Sequence, residues 1–126
     1  MNANPAIIAH ARVCIELPIK TGAGLNDRMH WRQRSKIVKA QRSAACLSVK
    51  SGNKPFPCVV TMTRLSAGEL DDDNLQGALK AIRDGIADAY GLADNDAGFQ
   101  WRYHQERVKR GRFGVRIQIE PMDVSA

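Results

Sequence analysis

Leu70-Asp71-Asp72-Asp73-Asn74-Leu75 sets three consecutive carboxylates at the head of an amphipathic segment in an otherwise basic chain. Hard divalent cations such as Mg²⁺ take oxygen ligands, commonly one or two carboxylates completed by water and substrate phosphate. Asp71 and Asp73 supply such a pair, and Asp94 or Asp96, just beyond the segment, offers a third carboxylate. If a helix starts at Asp73, a rotation of about 100° per residue brings Gly77, Lys80 and Asp84 within about 40° of it, with Leu75, Leu79, Ile82 and Ile86 on the opposite side. A metal ion so placed polarises a phosphoryl oxygen and acidifies bound water for in-line attack. Lys80 could then offset the charge that builds on phosphorus. The same residues have plainer readings. The aspartates also suit a helix N-cap followed by an acidic surface, and Lys80 suits an i,i+4 partner for Asp84.

Charge distribution favours a polyanionic substrate. The net charge is +6. Residues 1–65 contain Glu16 and Asp27 as their only acids, against eleven Lys and Arg residues. Residues 66–98 reverse this, with Lys80 and Arg83 among eight acids, and residues 99–126 are again basic. Basic flanks attract phosphates, while an acidic centre can take a cation that neutralises it. Other chemistries lack a signature. Cys14, Cys46 and Cys58 are an odd count without CxxC spacing, so they are expected to be reduced and buried. His10, His30 and His104 form no close pair, and no GxxxxGK[ST] phosphate loop is present. No apolar run approaches the roughly 18 residues of a membrane span. Met1 to Pro5 lacks the basic start of a secretory signal, so a cytoplasmic protein is expected.

The elements that must position these residues are legible from periodicity. The length of 126 residues suits one domain, with 1–10 and 121–126 as tails. Ala11, Val13, Ile15 and Leu17 alternate as a strand that Pro18 ends. Residues 19–33 read as a loop; Ser35 then caps a helix over 36–50, with Ile37, Ala40, Ala44 and Leu47 as its apolar stripe. Pro57 to Leu65 is a second strand whose two faces are both apolar enough to be covered. Asp72 or Asp73 caps the second helix, and Gly91 ends it. Two further strands, Phe99–Arg107 and Arg112–Glu120, are joined by Lys109-Arg110-Gly111 as a hairpin turn. The order β-α-β-α-β-β predicts an α+β domain, with helices on one face of a mixed four-stranded sheet.

Asp71-Asp72-Asp73-Asn74-Leu75-Gln76, the amphipathic helix after it, Gly91-Leu92 and the Asp94-Asn95-Asp96 loop together resemble the RusA family of Holliday-junction resolvases. Leu17-Pro18 and the following Asn26 also fit, so the resemblance spans about residues 11–120. It implies a small homodimeric endonuclease of a kind common in prophages, which uses Mg²⁺, or Mn²⁺ in its place, to cut four-way DNA junctions. Carried over by position, Asp71, Asp73 and Asp96 become catalytic metal ligands, with Asp94 competing for the third place. Asn74 would steady the helix start. Where the family carries a catalytic lysine, this chain has Gly77, and Lys80 on the same face is the expected substitute. The resemblance also implies phosphate contacts from Arg28, Arg32, Arg34, Lys36, Lys39, Lys109, Arg110 and Arg112. His30 and Trp31 lie in the same stretch; Trp31 either stacks on a base or covers the edge of the core, whereas Trp101 is expected in the core or a dimer interface. Two alternatives stay open: a junction-binding protein with impaired catalysis, and a small interaction protein whose aspartates only cap a helix.

Overall fold

Alternation of Val13, Ile15 and Leu17 with polar residues produces the first strand of a computed structural model that describes residues 12–22 and 31–122. The chain runs β1 (Val13–Leu17), α1 (Trp31–Lys50), β2 (Cys58–Ser66), α2 (Asp72–Tyr90), β3 (Phe99–Arg107) and β4 (Gly114–Pro121). This is an α+β domain with both helices on one face of a four-stranded mixed sheet, ordered β1-β4-β2-β3. β4 is antiparallel to β1 and to β2, and β3 is parallel to β2. The carboxyl ends of β1, β2 and β3 therefore lie together at one end of the sheet.

Strand alternation divides the sheet into a covered and an open face. Val13, Ile15, Val115, Ile117, Ile119, Val60, Met62, Phe99, Trp101 and Tyr103 line the covered face and pack with Leu75, Leu79, Ile82 and Ile86 of α2. The open face carries Arg116, Glu16 and Glu106, where the Arg116 guanidinium meets Glu106 at 3.2 Å and Glu16 at 3.9 Å. Helices thus cover only one face of β2; Thr63 and Leu65, on the other, are shielded by neighbouring strands.

Several expected boundaries move, each for a local reason. Lys109-Arg110-Gly111 closes no hairpin, because β2 lies between β3 and β4. β2 buries Cys58, Val60, Met62, Thr63, Arg64 and Leu65, and so needs a hydrogen-bonded strand on each side. β3 exposes every second residue and tolerates an edge. The helix α1 already includes Trp31, and Ser35 lies inside it; Arg32, Gln33, Arg34 and Lys36 are favourable helix residues and extend the turn. Its buried residues are Gln41, Ala45 and Val49, one position round from the expected stripe, and Leu47 is 66% exposed. That rotation sets Ala45 and the Arg42 backbone against Gly85 of α2. Outside this contact, Arg42 forms a bidentate pair with Asp88, at 2.6 and 2.9 Å. Pro121 belongs to β4, paired with Cys58, and the next residue, Met122, donates to Pro57 O at 2.9 Å, so the expected tail begins later. Cys58 is buried as expected, but Cys14 is exposed. No helix of the described residues is long and apolar enough to cross a membrane.

The two glycines within α2 should respond oppositely to substitution. A methyl at Gly77 meets nothing within 4 Å, so Gly77→Ala should stabilise the protein by about 0.5–1 kcal/mol through helix propensity. A methyl at Gly85 would collide with the Arg42 carbonyl and lie 2.9 Å from Ala45 Cβ. Gly85→Ala should cost about 1–3 kcal/mol by overpacking, read as a lower urea midpoint.

Candidate functional site

The acidic motif sits where β2 hands over to α2, at the carboxyl end of the parallel strands. Asp71, rather than Asp72 or Asp73, is the N-cap: its backbone is extended and its Oδ1 accepts the Asn74 N–H at 2.9 Å. Asn74 Nδ2 donates to the other oxygen at 3.2 Å, so Asn74 does steady this turn. Asp72 and Asp73 occupy the first helical turn, where the exposed N–H groups favour negative charge. A carboxylate has about four lone-pair directions, so capping leaves Asp71 with acceptor capacity for a cation.

Two inward-facing polar residues hold the strand-to-helix loop. Gln105 of β3 clamps Leu70, its Oε1 accepting the Leu70 N–H at 3.0 Å and its Nε2 donating to Leu70 O at 2.7 Å. Its register partner on β2 is Arg64, which is 6% exposed. The Arg64 guanidinium is met by backbone carbonyls, with Nε donating to Thr21 O at 3.3 Å and Nη1 to Gly68 O at 3.1 Å. Burial lowers its pKa from the usual arginine value. Neither residue was singled out from sequence, although each breaks a visible pattern. Arg64 follows Cys58, Val60 and Met62 on the covered face, and Gln105 follows Phe99, Trp101 and Tyr103.

The other carboxylates expected at the site lie elsewhere. The loop carrying Asp94 and Asp96 enters β3 at Phe99, opposite Cys58, at the far end of the sheet from Asp71. Asp94 is held by Lys80 Nζ at 3.1 Å and Arg83 Nε at 2.8 Å. Lys80 foremost, then Arg83, keeps its pKa below the usual carboxylate value. Lys80 also donates to Asp84 at 2.9 Å, and this bond is the leading cause of its raised pKa. Lys80 is thus drawn towards Asp84 and Asp94 rather than back to Asp73, because its i+4 carboxylate lies in that direction. Asp96 Oδ1 accepts the Gly98 N–H at 2.9 Å, bracing the turn into β3. Among the described residues no group of three or more His, Cys, Asp or Glu side chains could hold a metal ion. Asp71 and Asp73 remain as the carboxylates at the helix start, and Mg²⁺ commonly takes only one or two carboxylates, keeping several waters and using substrate phosphate.

The basic candidates divide by element. Lys109, Arg110 and Arg112 lie in the turn after β3, at the same sheet end as Asp71, and Val108 N–H donates to Ser66 O at 3.0 Å between the two exits. Trp31, Arg32, Arg34, Lys36 and Lys39 occupy the first half of α1. Trp31 is 67% exposed, so it does not cover the core edge, and Arg32 stacks on its ring at 5.3 Å. Arg28, His30 and Asn26 fall outside the described residues. Trp101 packs against the core, donating Nε1–H to Asp94 O at 2.7 Å beneath the Arg83 guanidinium.

No family model matches the chain. It is similar to an uncharacterized protein of Xylella fastidiosa (strain Temecula1), at 35% identity over 78 residues, which cover 55% of this chain and 51% of the relative. The chain thus spans about half the length of the curated relative it matches.

The Lys80–Asp94–Arg83 cluster makes a pH-dependent contribution to stability. The folded-state pKa of Asp94 lies below its ordinary 3.8, so the contribution is complete above that value and is lost as pH falls through the lowered one. Asp94→Asn should cost about 1 kcal/mol at neutral pH, allowing for solvent screening. The difference from wild type should shrink in urea melts below pH 3.8.

Proposed function

We propose that the protein is a Mg²⁺-dependent endodeoxyribonuclease of the RusA resolvase type that cuts branched DNA, four-way junctions above all, as a homodimer in the cytoplasm. The observation that carries this reading is the placement of Asp71 and Asp73 at the same sheet end as Lys109, Arg110 and Arg112. Open sheets with parallel strands characteristically bind ligands at the carboxyl ends of those strands. A cationic turn beside a carboxylate pair suits a phosphodiester that bridges protein and metal. Trp31, exposed at the head of a basic helix, is suited to stacking on an unpaired base at a branch point. Two symmetric incisions in a four-way junction call for two sites related by a two-fold axis, which supports the dimer.

On this reading Asp71 and Asp73 hold Mg²⁺, or Mn²⁺ in its place, at the helix start. Bound there, the ion would supply Lewis acidity and acidify a bound water molecule. Asn74 keeps Asp71 oriented, and the α2 N-terminus draws the substrate phosphate towards the pair. Lys109, Arg110 and Arg112 anchor the backbone of the cut strand, and the α1 cations hold a second arm of the junction. Asp96 braces its own loop and would act only as an indirect contributor.

One observation favours a second reading, in which the protein binds junctions without cutting them. Gly77 leaves the expected lysine position empty, and Lys80 is committed to Asp84 and Asp94. Cleavage of a synthetic four-way junction beside linear duplex separates the two. The enzyme reading expects Mg²⁺-dependent symmetric nicks that Asp73→Asn reduces at least 100-fold while binding survives; tight binding with no nicking under any metal would establish the second. Because a Cβ at Gly77 meets nothing within 4 Å, Gly77→Lys should fold, and it should raise the cleavage rate about tenfold or more if a cation there takes part. An unchanged rate would remove that role.

A further inference from the structure

The bonds that Gln105 and Arg64 make are an unusual use of polar side chains on the covered face of a sheet. Gln105 satisfies both backbone groups of Leu70, the residue preceding the N-cap. Arg64, paired with it across β2 and β3, reaches Gly68 in the same loop and Thr21 in the segment after β1. Burying a guanidinium against neutral carbonyls is costly because no opposite charge offsets its desolvation, and apolar residues at these positions would serve the core alone. Loops between secondary elements ordinarily move more than the elements themselves. Here three of the loop's backbone groups, Leu70 N–H, Leu70 C=O and Gly68 C=O, are fastened to side chains of the sheet.

We infer that Gln105 and Arg64 are positioning residues that hold Asp71 and Asp73 in metal-binding register, with Arg64 tying this turn to the segment after β1. The inference rests on the proposed metal site. Gln105 acts through the backbone: fixing Leu70 holds the extended conformation at Asp71 from which its carboxylate reaches Asn74. Arg64 acts through Gly68 and Thr21, joining the acidic loop to the segment after β1. Groups that orient metal ligands in this way typically account for 10–100-fold in metal affinity.

The test uses the full chain with Mn²⁺ as the probe, measured by calorimetry, and amide hydrogen exchange as a readout that needs no metal. Gln105→Leu should weaken Mn²⁺ binding about tenfold or more and deprotect the Leu70 amide, while metal-free junction binding stays within twofold of wild type. Gln105→Glu retains the acceptor for Leu70 N–H and loses the donor to Leu70 O, so it should keep the amide protected and fall between the two in Mn²⁺ affinity. Arg64→Lys, which cannot span both carbonyls, should weaken Mn²⁺ binding and loosen residues 67–70 together. A Gln105→Leu protein that melts at a lower temperature but binds Mn²⁺ as wild type does would reduce the clamp to a structural role and overturn the proposal. If Gln105→Leu fails to fold, Gln105→Glu decides, and unchanged Mn²⁺ affinity in that variant overturns it equally. Absence of Mn²⁺ binding by wild type would refute the metal site and this inference with it. Mn²⁺ binding without junction cleavage would instead leave the inference standing and count against the nuclease reading.

Discussion

Burial of β2 along both edges is the constraint from which the remaining geometry follows. Its residues from Met62 to Leu65 are all buried, on both faces, so their backbone groups need strands on either side rather than water. β4 takes one edge antiparallel, and β3, delivered by the α2 crossover, takes the other in parallel. The crossover has to leave β2 at its carboxyl end and return at its amino end. That separates the two ends of α2 and with them the two acidic segments. The motif at Asp71 opens the helix, whereas the Asp94 loop re-enters the sheet opposite Cys58.

The separation explains how the charges are used. At the head of α2 the aspartates lie in the first helical turn, where the helix end favours negative charge and Asp71 accepts the cap bonds from Asn74. Beyond the tail of α2 the chain folds back along the helix, and Asp94 meets Lys80 and Arg83, with Arg83 also bonded to Tyr103 and stacked on Trp101. The first environment is the one the proposed metal site would use. The second is already neutralised and locks a loop to a helix. Similar residues therefore do different work, according to which end of one crossover they occupy.

Helix pairing obeys a comparable constraint. Gly85 lets the backbone of α1 approach closely, and this contact sets the rotation of α1 about its own axis. Ala45 and Val49 then face the core, Leu47 faces outward, and the cations of the first half of α1 remain accessible. An apolar stripe counted along α1 alone misjudges this by one residue, because in a helix of mixed polarity small-residue contact outweighs the weak periodicity.

Sequence by itself determined the class and order of the elements, since strand alternation in β1 and β4 and the helical spacing of Leu75, Leu79, Ile82 and Ile86 are local properties. It determined that α2 ends at Gly91, where the left-handed conformation favours glycine, and that carboxylates stand at the helix start. Only the tertiary structure decided that Asp71 is the cap, that β2 separates β3 from β4, and that Asp94 belongs to Lys80 and Arg83. It also revealed Gln105 and Arg64, whose partners lie 35 and 43 residues away in the chain for Leu70 and Thr21. The physical reason is range. Periodicity and capping act over one or two turns, whereas edge burial, close helix approach and ion pairing depend on which distant segments the fold sets side by side. The acidic motif was visible as a motif, and the crossover decided which carboxylates could share it.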